Sequence, residues 1–391
     1  MEKPRTNEVL LGGRRVSLTE GPGLASRMQV MARVHNYSPG PSALPLPALQ
    51  RARDELLDFN GSGMSIMEQS HRAPVYEAVH QEALDLMRSL LKVPDTHEIL
   101  FLQGGATMQF AQVPMNLRAG SCSADYVTTG IFAQKAFKEA AHTGKAREAA
   151  STVEGKKFFR IPRDDEIDRD EKAAYLHVAS NNTVVGTQYH EFPQSPGVPL
   201  VADMSSDIMG RPINVSQFGL IYAGAQKNMG PSGITAVIID KSLVESGRED
   251  IPFILQYRTQ ASARSLANTI PTFGVYMLRN VLSWLNEQGG VEAIHQINVR
   301  KAAQLYSVLE ERDDLYQLHV ERSSRSFMNI VWSLASPEKD AACVAAAKEA
   351  GLVGLKGHRI VGGLRASIYN AVSLESVDVL CEFLRSYKRR A

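Results

Sequence analysis

Cysteine is scarce in this chain of 391 residues: there are three, Cys122, Cys343 and Cys381, far apart. No two have metal-ligand spacing and an odd number makes no disulfide framework, so the thiols point to a reducing, cytoplasmic compartment. An excess of charge of one sign is also missing. The 43 lysines and arginines face 42 acids, a net charge of +1. No long-range field favours a polyanion, which argues against nucleic acid as a partner. No apolar run reaches the length of a membrane span. HExxH and His/Cys clusters are absent, so no metal is expected. There is no internal repeat and no low-complexity tract.

Residues 1–33 lack the apolar segment of a signal peptide, and Glu2, Glu8 and Glu20 are acids that a transit peptide avoids. They read as a mostly flexible N-terminal extension, with organelle import a lesser alternative. The apolar content of 44% over this length predicts two domains. Helical periodicity over 46–59 and 75–91 precedes a strand, "HEILFLQ", and a helix that opens at "GGATMQF". "ADYVTTG" reads as a strand and "FAQKAFKEAA" as a helix. "AAYLHVAS", "VPLVADMSS", "GLIYAGAQ" and "ITAVIID" are short apolar runs bounded by turn residues. Such alternation predicts an α/β protein with a mostly parallel sheet covered on both faces. Beyond about residue 275 two long helices (273–288 and 291–312) lead to "FMNIVWSL", an Ala-rich helix over 336–350, "RASIYNAV" and a terminal helix. The expected division is a large domain over 34–290, whose first residues pack on the small domain, and a smaller α/β domain over 291–391.

The chemistry starts from "IYAGAQKNMGPSG", where Lys227 stands among neutral residues. A lysine at a strand end with little hydration has a lowered pKa, which a Schiff-base lysine needs. The plainer reading is a loop lysine. Asp203 ends a buried-type strand, where ligands of open α/β sheets bind. It could pair with a pyridinium nitrogen or start a turn. Gly104-Gly105-Ala106-Thr107 joins a strand to a helix and could cradle phosphate. It could also be a structural turn or a dinucleotide loop, although GxGxxG is absent and Asp125 stands before a strand rather than at its end.

Taken with "NYSPGPSALP", "MSIMEQSHR", "FLQGGATMQFAQVPMNL", "VADMSS", "RPINVSQFGLIYAGAQKNMGPSG", "NTIPTF" and "KGHRIVGGLRASIYNAV", these segments resemble the phosphoserine aminotransferase family from about Val34 to the C-terminus. The resemblance implies fold type I of the pyridoxal 5'-phosphate transferases and a homodimer with active sites at its interface. The reaction implied is ping-pong transfer from L-glutamate to 3-phosphohydroxypyruvate, giving O-phospho-L-serine and 2-oxoglutarate, a step of serine biosynthesis. 4-Phosphohydroxythreonine, in pyridoxal phosphate biosynthesis, is an implied second substrate.

By position, the resemblance makes Lys227 the Schiff-base lysine and proton shuttle and Asp203 the partner of the ring nitrogen. Ala106, Thr107 and Gln226 contact the cofactor phosphate, and Thr183 the phenolic oxygen. Asn268 and Thr269 reach the phosphate from the other subunit. Phe132 falls where the family usually has a tryptophan over the ring; its plainer role is helix packing. Asn182 stands where an acid is common, Thr107 where some members carry arginine, and "SARSLANT" departs from the usual aromatic lead. Each substrate carries an α-carboxylate and a second anionic group, a carboxylate or a dianionic phosphate, so the pocket needs two basic poles. Arg365 is the candidate for the α-carboxylate. His71, Arg72, His358 and Arg359 are the candidates for the far pole, although surface His and Arg are common. Two alternatives are weighed: another class-V enzyme such as a cysteine desulfurase, and a non-catalytic pyridoxal-phosphate-binding protein. A desulfurase needs a cysteine on a mobile loop, whereas Cys343 lies in the Ala-rich helix and Cys381 in the terminal helix.

Overall fold

The computed structural model describes residues 7–11, 14–18, 33–118, 120, 122–155 and 157–388. The chain divides into two compact units, Met1–Val34 and His35–Ala391. In the first, Asn7–Leu11 pairs antiparallel with Arg14–Leu18. The rest of the expected flexible extension, save Arg33, lies outside the described residues.

In the second unit a seven-stranded sheet has the order His97–Gln103, Ile234–Asp240, Leu220–Gly224, Leu200–Asp203, Leu176–Ala179, Ala124–Thr128, Ala146–Ser151. Ile234–Asp240 is antiparallel to both neighbours and all other pairings are parallel. Six strands therefore run one way, and their carboxyl ends open on one edge. The central strands are buried along their whole length, because helices cover both faces. Alternate residues go to opposite sides, as strand geometry requires. Ile99 and Phe101 join a core with the helices Pro74–Leu91 and Thr272–Glu287. Leu100 and Leu102 join a second core with Gly105–Leu117 and Ile131–Thr143. The mostly parallel sheet with two covered faces is thus as the alternating pattern predicted.

The edge strand Ala146–Ser151 has no counterpart in the sequence reading. "AREAAS" carries no β-branched or aromatic residue and only one of its positions is buried. A tertiary contact holds it: Arg147 grips Asp125 bidentately, Nε–Oδ1 2.9 Å and Nη2–Oδ2 2.7 Å. The Asp125 side chain is 2% exposed, so losing the guanidinium would leave a buried carboxylate uncompensated. That engagement gives Asp125 a structural role and removes the dinucleotide reading. The helix expected over 46–59 is shorter, Leu46–Asp54, and Phe59 turns in to meet Tyr276 edge-on at 5.7 Å.

A third core lies around the antiparallel sheet Gln317–Leu318, Asn329–Ser333 and Leu364–Ser367. Tyr37 is buried in it, and His35–Asn36 pairs with Leu352–Val353. Gly290–Glu311 serves two cores: Val291 and Ile294 face the large sheet, and Leu305 and Leu309 the third core.

Candidate active site

The shared direction of six strands brings distant segments to one edge. Lys227 follows Leu220–Gly224, Asp203 ends Leu200–Asp203, Thr183 follows Leu176–Ala179, and Gly104-Gly105 follows His97–Gln103. Together with Gly40, Ala106, Thr107, Phe132, Gln226, His358 and Arg365 they surround or adjoin a pocket of about 290 Å³.

Lys227 Nζ donates to Thr183 Oγ1 at 2.6 Å and lies 5.6 Å from the centre of the Phe132 ring. Burial pushes its pKa down to about 8; Asp203 opposes this and Arg365 adds to it. Burial also pushes the Asp203 carboxyl up, against the pull of Lys227. Each charge is destabilised by lost hydration and partly restored by the other. Asp203 Oδ1 accepts from Ser205 N at 2.9 Å and Ser205 Oγ at 2.6 Å. Ser205 Oγ in turn accepts from Gly224 N at 3.1 Å. Oδ2 accepts no such bond among the described residues, so it remains for a ligand.

The opposite end suits an anion. Gly104 and Gly105 have φ of 98° and 68°, and the helix Gly105–Leu117 starts without a side-chain cap. A Cβ on Gly104 would come within 2.8 Å of Met108 Cβ, so the turn demands glycine. The free N–H groups and the helix dipole favour a phosphate there. An anion cradle, an amine of lowered pKa and a carboxylate with one free oxygen fit pyridoxal phosphate. Arg365, 5% exposed, donates from Nη1 to Thr183 O at 3.1 Å and lines the pocket. Burial, then Arg365 and Arg359, push the pKa of His358 down.

Ala106, Thr107, Phe132, Thr183, Asp203, Gln226, Lys227, His358 and Arg365 therefore share one pocket. His71, Arg72, Arg359, Asn268 and Thr269 do not line it. His71 and Arg72 lie in the turn before Pro74–Leu91, with Arg72 exposed. Asn268 Nδ2 is 3.5 Å from Gln103 Oε1, near the end of the strand that leads into the anion cradle. Asn182 is buried and bonds Thr129 and Thr187, both at 3.0 Å, holding the loop beneath Thr183.

Ser205 and the Pro39–Ser42 turn escaped the residue-by-residue reading. Ser42 Oγ donates to Lys227 O at 2.6 Å across 185 positions, and Ser42 N donates to Gln226 O at 3.0 Å. Gly40 has φ of 140°, and a Cβ there would sit 3.2 Å from Lys227 Cγ. The first serine of "VADMSS" and the small residues of "SPGPS" were the available signals. The three cysteines offer no nucleophile to the pocket. Cys343 and Cys381 are buried, with thiols pushed up to about 12 and about 11, and Cys122 is exposed but lines no part of it.

The lowered Lys227 pKa has a measurable consequence. In the apoprotein Nζ must be unprotonated to attack the cofactor aldehyde. The rate of cofactor capture, followed by absorbance, should rise about tenfold per pH unit below the pKa and level off above it. The expected midpoint is about 8; one near the ordinary lysine value of about 10 would contradict this environment.

A family profile described as Aminotransferase class-V matches residues 34–380. The chain is 52% identical to phosphoserine aminotransferase of Geobacillus kaustophilus over 360 residues, which cover 92% of this chain and 99% of that one. The solved structure of phosphoserine aminotransferase from Bacillus circulans subsp. alkalophilus superposes with a TM-score of 0.88 at 48% identity, covering 90% of this chain and 98% of the other. A pyridoxal-phosphate-bound phosphoserine aminotransferase from Trichomonas vaginalis gives 0.87 at 34% identity, covering 90% and 100%.

Proposed function

The chain belongs to the class-V aminotransferase family, and we propose that it moves the amino group of L-glutamate onto 3-phosphohydroxypyruvate, giving O-phospho-L-serine and 2-oxoglutarate. The carrying observation is near-full-length similarity, at about half identity, to phosphoserine aminotransferases. The test is a coupled assay of the purified protein with O-phospho-L-serine and 2-oxoglutarate. Absence of turnover with this pair, alongside turnover with another amino donor, would reject the substrate assignment.

The protein is a pyridoxal-phosphate-dependent transferase. When bound, the cofactor supplies an electron sink for charge that develops at the substrate Cα. The N–H groups at Ala106 and Thr107, with Gln226, would hold its phosphate. Asp203 Oδ2 would keep its ring nitrogen protonated, Thr183 would bond its phenolic oxygen and Phe132 would cover its face. Lys227 Nζ would hold the cofactor and move the Cα proton. Thr183 Oγ1 already positions that nitrogen, at 2.6 Å. Arg365 would take the α-carboxylate, whose planar geometry suits a guanidinium fork. His358 and Arg359 would meet the distal phosphate or carboxylate.

This division of labour separates the two half-reactions. Every substrate presents an α-carboxylate, so Arg365→Ala should slow the glutamate and phosphoserine half-reactions alike. A lost charged hydrogen-bond partner costs about 1.5–3 kcal/mol, roughly 10- to 100-fold. Changing His358 or Arg359 to alanine should slow the phosphoserine half-reaction more, because a phosphate dianion loses more neutralisation than a carboxylate. Single-turnover absorbance with each donor measures both. Equal losses for the two donors in the His358 and Arg359 variants would remove the phosphate assignment.

The proposal includes a cytoplasmic homodimer. The free thiols suit a reducing compartment, and among the described residues no helix is long and apolar enough to cross a membrane. Exposed apolar side chains crowd one segment: Leu57 is 84% exposed, Met64 41%, Met67 52% and Val75 36%. Such a run is a surface for a partner. His71 and Arg72 lie between Met67 and Val75, so a second copy covering this surface would receive them. Together with Asn268 and Thr269 they would complete the partner's pocket. Hybrids test this. Lys227→Ala and Arg72→Ala should each be weak alone. Mixed and allowed to exchange subunits, they should recover about a quarter of full activity, because each heterodimer holds one intact site. No recovery in a population shown to exchange would place Arg72 outside the partner's site.

A further inference from the structure

Beside the catalytic pocket lies a second cleft, of about 740 Å³, between the three-stranded sheet, the helix Pro337–Glu349 and the loop that carries His358 and Arg359. Its size is that of a small-molecule site. Its floor is apolar: Phe158, Val185, Val331, Leu334 and Val344. Its rim is cationic. Lys157, Lys348, Lys356 and Arg359 line it, and among the described residues none is paired with a carboxylate. In a chain of net charge +1 this is a local excess. Asp340 is the one acid in the lining, and its Oδ1 is already taken by Leu334 N at 2.7 Å.

The cleft shares a wall with the active site. His358 lines both cavities, whereas Arg359 lines the cleft and not the catalytic pocket. The loop between them is tied as one piece. Gly357 N donates to Gly363 O at 2.9 Å, and His358 O accepts from Val361 N at 3.0 Å and Gly362 N at 2.8 Å. A Cβ on Gly357 would fall 2.0 Å from Gly362 O, so this closure depends on glycine. A force on Arg359 is therefore felt at His358.

We infer that this cleft is a second, regulatory ligand site for a small anion with an apolar body, and that the bound anion holds Arg359 and His358 away from the phosphate end of the catalytic pocket. The apolar part rests on Phe158, Val185 and Val331, and the anionic group sits among Lys348, Lys356 and Arg359. The coupling rests on the reading of His358 and Arg359 as the phosphate pole; the existence of the site does not. Such a ligand slows the half-reaction with phosphoserine and leaves that with glutamate closer to its full rate.

Anilinonaphthalene sulfonate, an aromatic body with one anionic group, is the probe, titrated into the holoenzyme and followed by its fluorescence. Ala341→Trp fills the cleft from an exposed helix position, and Lys348→Glu reverses one rim charge; neither residue lines the catalytic pocket. Saturable binding should be weakened about tenfold or more in both variants, a change of about 1.4 kcal/mol. Both should retain wild-type turnover without probe. Added probe should slow cofactor conversion by phosphoserine in the wild type and lose that effect in the variants. No saturable binding, or equal binding in wild type and Lys348→Glu, overturns the site. Binding that the variants weaken, without any effect on the phosphoserine half-reaction, overturns the coupling and keeps the site. A protein that binds the probe in this pattern but does not transaminate phosphoserine fails the proposed reaction and not the site.

Discussion

Lys227→Ala should lower turnover about 10²- to 10⁴-fold, the scale of a lost general acid–base group, with little change in thermal stability. Both halves of that expectation come from its surroundings. Among the described residues Nζ is the only amine lining the pocket, since the other basic groups there are a guanidinium and an imidazole. Its pKa is pushed down to about 8 by burial, so near neutral pH it exchanges a proton at small energetic cost. The same burial means that the charge contributes little to stability: it is desolvated and, among the described residues, bonded only to the Thr183 hydroxyl. Borohydride treatment of the wild type should fix the cofactor to this residue, and peptide mapping reads the position. A label on another lysine, or near-normal turnover in the variant, would displace Lys227 from the centre of the reaction.

Asp203→Ala should cost about 4 kcal/mol in the barrier, on the order of 10³-fold in rate. Asp203→Asn should recover little of it, because shape is not the issue. The carboxylate is 9% exposed and braced at Oδ1 by both polar groups of Ser205, so its negative charge is held in one orientation where water does not screen it. An amide fills the same space without the charge that keeps a ring nitrogen protonated. The signature is a fall in kcat, together with a changed cofactor spectrum, and only a modest change in KM for glutamate. Steady-state kinetics and absorbance of both variants provide the check. If Asp203→Asn kept most of the wild-type rate, Asp203 would be a structural turn residue, as its place before "SSDIMG" first allowed.

What could be read along the chain was whatever burial writes into local periodicity. Strands covered on both faces appear as unbroken apolar runs, "LVAD" and "LIYAG" among them. Polar residues at the ends of such runs, Asp203 and then Lys227 after Gly224, stand out because nothing in strand packing calls for them. Glycines at Gly104 and Gly105 marked a tight turn at a helix start. A parallel arrangement then requires those ends to meet at one edge, which made the core of the site legible.

The sequence by itself thus determined the sheet, the two covered faces and the residues at the strand ends, because side-chain chemistry at spacing 2 and 3.6 is a local property. Tertiary structure alone decided the rest. It set Gly40 against the Lys227 side chain and Ser42 on its carbonyl. It made a strand of "AREAAS" through Arg147 and Asp125, and threaded Gly290–Glu311 through two cores. It also aimed Arg359 into a neighbouring cleft while His358, one residue before it, lines the catalytic pocket. These are pairings between residues far apart in the chain, or orientations within a glycine-closed loop. Local periodicity carries no information about either, since each depends on which distant surfaces happen to be brought within a few ångströms.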